Sequence, residues 1–326
     1  MSIRTAVAAA SVIIGCVPSA LHAATGAASQ MSNRPVRLIV PTAPSGSTDF
    51  IARTLAQSLG ERLGQSVVVD NRAGAGGLIG LEIVARAMPD GHTLAVFNPG
   101  HMVAAQLSGK LSFKRGGDFT PIARSATTET LLVVHPGVPA KSVKELVELA
   151  RAKPRYLNYA SSGTAGLPHL GMELFRSMAG IELTHVPYKG IGPSIPDLVS
   201  GRVQLAITTI LTAIPHVQAG RLRALASTGA KRLTTLPEVP TFAEAGYPRY
   251  DVTSWFGVFA PARMPVPVVA RLNADCNSVV QQPEVVDRFA AAGIDPAGGL
   301  SSAQFADYVA SALITWDGAL KAAGMR

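Results

Sequence analysis

Hydrophobic positions along the chain alternate between two periods. Val36 to Val40 (VRLIV) is a short, nearly unbroken apolar run of the kind that forms a strand buried on both faces. In TDFIARTLAQSLGERLG (48–64), Phe50/Ile51, Leu55, Leu59 and Leu63 recur about every four residues, which predicts a helix with one apolar face. A second strand follows in SVVVDN (66–71), then the turn RAGAGG, a helix in LIGLEIVARAM, and a third strand in HTLAVFN (92–98). Strand, helix, strand, helix in this order predicts a mostly parallel sheet with right-handed crossovers.

Near residue 120 the pattern changes. TPIARSATTETLLVVHPG holds two extended segments with no helix between them, as a chain crossing from one lobe to another would. A second alternating unit follows: helix SVKELVELARAK, strand LNYAS, helix LPHLGMELFRSMAG, strand LTHVPYK, helix GPSIPDLVSG and strand VQLAITT. DVTSWFGVFAPA (251–262) reads as the return crossing, with two helices after it, about Val266–Ala292 and Ser302–Ala323. The expected architecture is two α/β lobes with a cleft between them. Residues 33–127 plus 257–326 make a discontinuous first lobe and 128–256 a second.

One short motif occurs once in each lobe. Ala43-Pro44-Ser45-Gly46-Ser47 and Ala160-Ser161-Ser162-Gly163-Thr164 share A-x-S-G-[ST], each between a strand and a helix. A phosphate loop needs G-x-x-x-x-G-K-[ST], and neither loop carries a lysine. GAGGLIG (74–80) has Ile79 where a dinucleotide fingerprint needs its last glycine. No G-x-S-x-G elbow marks a catalytic serine, although a triad assembled only in space leaves a periplasmic hydrolase as the alternative. Small loops entering helices also suit a carboxylate: they present free N–H groups at the positive end of the helix dipole, and serine and threonine add rotatable donors. Within Thr42–Asp49, Ser47 or Thr48 can instead cap the helix, and Asp49 fits its first turn better than a ligand contact. His169 suits either a cleft donor or a packed helix position.

Composition narrows the class. The 326 residues are 48% apolar and 15% charged, as in a globular chain. A net charge of +8, from 29 Lys and Arg against 21 Asp and Glu, is scattered in pairs without aromatic interleaving, so no nucleic-acid partner is expected. The N-terminus has one Arg, an apolar run over Ala6–Val17, then Pro18 and small residues. That run is too short to span a bilayer and reads as a signal peptide over residues 1–27, which places the mature chain in the periplasm. Cys16 in IIGC offers a second reading, a lipid-modified cysteine. Cys276 alone cannot form an internal disulfide and, at helical spacing, reads as a small buried hydrophobe. The seven histidines have no metal-ligand spacing, and neither a metal nor another cofactor is expected.

RPVRLIVPTAPSGSTDFIARTLAQSLGERLGQSVVVDNRAGAGGLIG, MPDGHTLAV, LNYASSGTAGLPHLGMELFRSMAG, THVPYKG, AGRLRALAST and DVTSWFGVFAPA together resemble the Bug/TctC family, the extracytoplasmic receptors of tripartite tricarboxylate transporters. The resemblance spans essentially the whole mature chain. It implies a two-lobed periplasmic binding protein of the Venus-flytrap type that clamps a small organic carboxylate between its lobes for tripartite tricarboxylate-type uptake or sensing. It implies ligand contacts from Thr42–Asp49 and Ser161–Thr164, from Asn98 to His101, and from the end of VQLAITT at Thr208 and Thr209. Membrane transporter subunits are the implied partners, and a monomer is the default. Two departures stand out. Thr42 and Ser45 replace the family's usual phenylalanine and first glycine, and Thr208 and Thr209 stand where Asp and Asn are frequent. Without that Asp there is no partner for a ligand ammonium, which favours a non-amino mono- or dicarboxylate.

Overall fold

In a computed structural model, residues 33–322 are described, apart from Arg115, Ala165, Asp251 and Thr253. The expected signal segment and Cys16 lie outside the described residues. The chain forms two α/β lobes, each built on one sheet, with strands passing between them.

The first lobe begins β1 (Val36–Val40), α1 (Ser47–Leu63), β2 (Val67–Asn71), α2 (Leu78–Ala85), β3 (Thr93–Phe97) and α3 (Pro99–Ser108). β1 pairs in parallel with both β2 and β3, so the strand order reverses direction between β1 and β3. β4 (Phe119–Thr128) then runs at the far side of this sheet, and with only Glu129 between them β5 (Thr130–Val134) enters the other sheet. The second lobe repeats the parallel unit: α4 (Val143–Ala152), β6 (Asn158–Ser161), α5 (Leu167–Ala179), β7 (Thr184–Pro187), α6 (Ile195–Val199) and β8 (Leu205–Thr209). β6 lies between β7 and β8 as β1 lies between β2 and β3. After α7 (Ile210–Gln218) and β9 (Arg223–Ser227), β10 (Ser254–Pro261) rejoins the first sheet, antiparallel to β3 and β4. α8 (Val266–Val279), α9 (Pro283–Ala291), β11 (Asp295–Pro296) and α10 (Ser302–Ala322) complete the chain.

Two sequence expectations change. The helix expected over 266–292 is two helices, because Pro283 brings no N–H and clashes with a preceding helical turn, yet suits the first position of α9. α3, short and begun by Pro99-Gly100, was not anticipated; Pro99 at its first turn and an Asn98 cap start it.

Packing follows the periodicity. Leu55, Leu59 and Leu63 of α1 meet Leu272, Val279 and Phe289 on one face of the first sheet, while Phe97, Phe259 and Phe305 fill the other. Cys276 is buried in the first of these clusters, and burial pushes its thiol up to about 12, as a packing residue requires. Every residue of β5 and β10 is buried, which fits strands covered on both faces. Trp316 and Leu320 of α10 join the second lobe's core beside Phe175 and Tyr250, so the last helix bridges the lobes.

Candidate ligand cleft between the lobes

In open α/β sheets, ligands bind beyond the carboxyl ends of the strands where strand order reverses. Each lobe has such a point, and the two face each other. In the first it lies between β1 and β3, so the loop after β1 and Asn98 after β3 meet there. In the second it lies between β6 and β8, with Ser162 after β6 and Thr209 ending β8. These residues line one interlobe cavity of about 50 Å³. A single water needs roughly 10–15 Å³ by this measure, so the space suits a few waters or a small acid and is far too small for a nucleotide.

Helix termini give the cavity its electrostatic character. α1 starts at Gly46, α5 at Gly166 and α7 at Thr209, and none of these N-caps makes a side-chain capping bond. Gly46, Ser47 and Thr48 of α1, Leu167 of α5 and Thr209 of α7 all line the cavity. First-turn N–H groups and the positive ends of three helix dipoles therefore converge on it, an environment that favours an anion. No charged side chain lines it among the described residues. Thr42 and Ala43 form part of the wall, and Asn98 Nδ2 reaches Thr48 Oγ1 at 3.4 Å.

The lobes are closed on each other. Ser47 Oγ lies 2.5 Å from Thr209 Oγ1, and Ala43 N–H donates to the Lys189 carbonyl at 3.1 Å. Outside this seam a wider groove of about 900 Å³ runs between Gly74–Leu78 and the Gly163–Thr164 and Tyr188–Lys189 segments. Ala43 and Ser162 line both hollows and so form their shared wall.

Several residues singled out in the sequence lie elsewhere. Pro44 and Ser45 are exposed, Ser45 in the left-handed region at φ 73°. Asp49 is buried, but its carboxylate accepts from Arg53 at 3.0 Å, Asn71 at 2.9 Å and the Ser45 N–H at 3.2 Å. Burial alone would raise its pKa; these hydrogen bonds outweigh that and hold the carboxyl below its usual range. Asp49 thus folds the loop back on the helix and does not line the cavity. His101 closes a capping box on α3, its Nδ1 accepting from Asn98 N–H at 3.1 Å while Asn98 Oδ1 accepts from His101 N–H at 3.3 Å. Complete burial pushes its imidazole down to about 3.

In the second loop only Ser162 reaches the cavity, while Gly163 and Thr164 face the outer groove. Ser161 is buried, with His185 Nε2 2.6 Å from its Oγ and the Gly163 N–H donating to the same oxygen at 3.1 Å. His169 is also buried, its ring 4.1 Å from that of His185, and both pKa values are lowered, that of His169 to about 4, mainly by burial. Nearby Tyr159 donates to Glu173, which Arg176 also holds. This aromatic and ionic cluster braces the loop from inside the lobe. Thr208 is absent from the lining as well: side chains alternate along β8, and with Thr209 on the cavity side Thr208 lies on the opposite, Ala206 face. Conversely, Thr130, Ile191, Ser254 and Phe256 line the cavity and were not anticipated. Thr130 and Ser254 open the two crossing strands, so the crossing pattern was their signal.

The comparisons with known proteins place this architecture. The family model for the tripartite tricarboxylate transporter family receptor, TctC, matches residues 51–325. The chain belongs to the Bug/TctC receptor family. Protein BugT of Bordetella pertussis (strain Tohama I) is 36% identical over 295 residues, covering 90% of each chain. The structure described as R. palustris Rpa4515 with adipate matches at TM-score 0.83 and 37% identity, covering 90% of this chain and 98% of that one. MatC from Rhodopseudomonas palustris with bound malate matches at TM-score 0.83 and 32% identity, covering 88% and 99%. The Bug/TctC chain is accordingly a periplasmic solute-binding receptor, and the hydrolase alternative falls. Its Ser161–His185 contact lies inside a lobe, away from the cavity. Among the described residues no group of three or more His, Cys, Asp or Glu could hold a metal, and no helix is long and apolar enough to cross a membrane.

Proposed function

We propose that this receptor closes over one small carboxylate and delivers it to the membrane subunits of a tripartite carboxylate transporter. The observation that carries the reading is the convergence of three helix N-termini without side-chain caps on a cavity that no charged side chain lines among the described residues. Backbone N–H groups of α1, α5 and α7 hold the carboxylate, with Ser47, Ser162, Thr209 and Asn98 supplying side-chain donors. Each hydrogen bond to the charged group contributes about 1.5–3 kcal/mol, so a few reach micromolar affinity without an arginine. Adipate and malate in the two R. palustris proteins support an organic acid as the ligand class.

Among the described residues no acidic side chain lines the cavity to pair with an ammonium, which favours acids without an amino group. On this reading the discrimination lies in the whole lining and not in Thr208. The receptor is exported by its N-terminal signal and works as a monomer, with the hinge at Glu129 and at the segment before Ser254. Isothermal titration with succinate and aspartate tests the class: succinate binds and aspartate does not, and the reverse result rejects the reading. Ser47→Ala, which removes the Thr209 latch, weakens acid binding by about tenfold.

A further inference from the structure

Apart from Ser162, the cavity's hydroxyl groups fall into two sets. Ser47 is bonded to Thr209, Thr48 to Asn98, and Thr130 to Thr228. Ser254 Oγ and Thr42 Oγ1 are buried with no hydrogen-bond partner among the described residues. Ser254 is 0% exposed and opens β10, with its backbone fixed opposite Thr128. Its neighbour on the same strand face is Phe256, and Ile191 and Leu167 are further apolar residues of the same lining. A buried hydroxyl left unpaired on such a wall is unfavourable unless something entering the cavity satisfies it.

We infer that Ser254 is a specificity-determining residue that hydrogen-bonds an oxygen substituent on the ligand's carbon chain, a hydroxyl or keto group. The inference rests on the carboxylate reading above. A carboxylate taken by the helix N-termini leaves its carbon chain to the remaining wall, where Ser254 and Thr42 offer donors and acceptors that a plain hydrocarbon cannot use. The receptor therefore selects oxygenated short-chain acids over unsubstituted acids of the same length. A wall built to bond an oxygen discriminates strongly against the analogue that lacks it, because the protein group is then left unpaired.

Isothermal titration of the full receptor with matched pairs tests this: malate against succinate, and 3-hydroxybutyrate against butyrate, with adipate as a longer unsubstituted acid. The oxygenated member of at least one pair binds more tightly by about tenfold or more. Ser254→Ala reduces that ratio to below about threefold, and Ser254→Thr, which keeps the hydroxyl, restores it. Ser227→Ala, which removes another unpartnered buried hydroxyl that does not line the cavity, leaves the ratio as in the wild type. The ligand-free melting temperature of Ser254→Ala is no lower than that of the wild type, as expected where no internal bond is lost. A smaller wild-type ratio, a ratio that survives Ser254→Ala, or a lower ligand-free melting temperature overturns the inference. Binding of succinate, butyrate or adipate without the preference overturns it alone. No binding by any of the five acids overturns the carboxylate reading with it.

Discussion

Closure of the two lobes can be tested with one methyl group. Gly76 sits in the turn before α2 at φ 68°, and a Cβ built there would lie 2.5 Å from the Thr164 carbonyl oxygen in the opposite lobe. That distance is shorter than side-chain carbons adopt, and the obstacle is backbone, so the lobes must separate locally to admit the methyl. Overpacking of this kind costs about 1–3 kcal/mol. The left-handed backbone adds a further ~1–2 kcal/mol for any L-residue, but it burdens the open and closed arrangements alike. The two costs separate cleanly because Gly64, at φ 69°, has nothing within 4 Å of a Cβ. Gly64→Ala therefore carries the backbone strain alone. Both variants should melt earlier by a similar margin, while only Gly76→Ala should bind the acid more weakly. A closed-state penalty of about 1–3 kcal/mol corresponds to a loss of roughly 5- to 150-fold in affinity. Gly76 does not line the inner cavity, so direct ligand contact does not explain such a loss. The assay is calorimetric titration of both variants beside thermal melts. Equal affinities for Gly76→Ala and Gly64→Ala would refute the assignment of this seam to the closed state.

Three further outcomes follow from the same geometry. Ser45→Gly, at φ 73° and exposed, relieves left-handed strain and should stabilise the receptor by about 0.5–1 kcal/mol in denaturant melts, with ligand affinity kept. Asp49→Ala strips the partner from Arg53, Asn71 and the Ser45 N–H, and should cost about 1–3 kcal/mol of stability and weaken acid binding by loosening the loop, although Asp49 does not line the cavity; titration and melts check both. Stability should also fall in mild acid. His101 and His169 are neutral when folded, with pKa values lowered to about 3 and about 4, while the unfolded chain takes up their protons below about 6.5. Their contribution is therefore complete above pH ~6.5 and is lost as pH falls towards those values. Denaturant melts between pH 7 and 5 should show this slope, and His101→Gln should flatten it.

The periodicity of the chain determined the alternating units, the two sheets and the two crossings, though not α3, α7 or β9, because burial of one helix face or both strand faces is written locally in residue spacing. The shared motif at Ala43–Ser47 and Ala160–Thr164 also identified equivalent strand ends, each where a central strand of its sheet leads into a helix. Tertiary structure decided which of those residues line the cavity. Thr208 and Thr209 are adjacent and chemically alike, yet strand pairing turns only Thr209 to the cavity. His169 could have been a donor until folding brought His185, distant in sequence, against its ring. Asp49 was spent on Arg53 and Asn71, and Ser254 reached the cavity only because the return strand brings it there with Phe256. Spacing records what a residue buries along its own element; the partners that use up a polar group, or leave it free, come from elements far away in the chain.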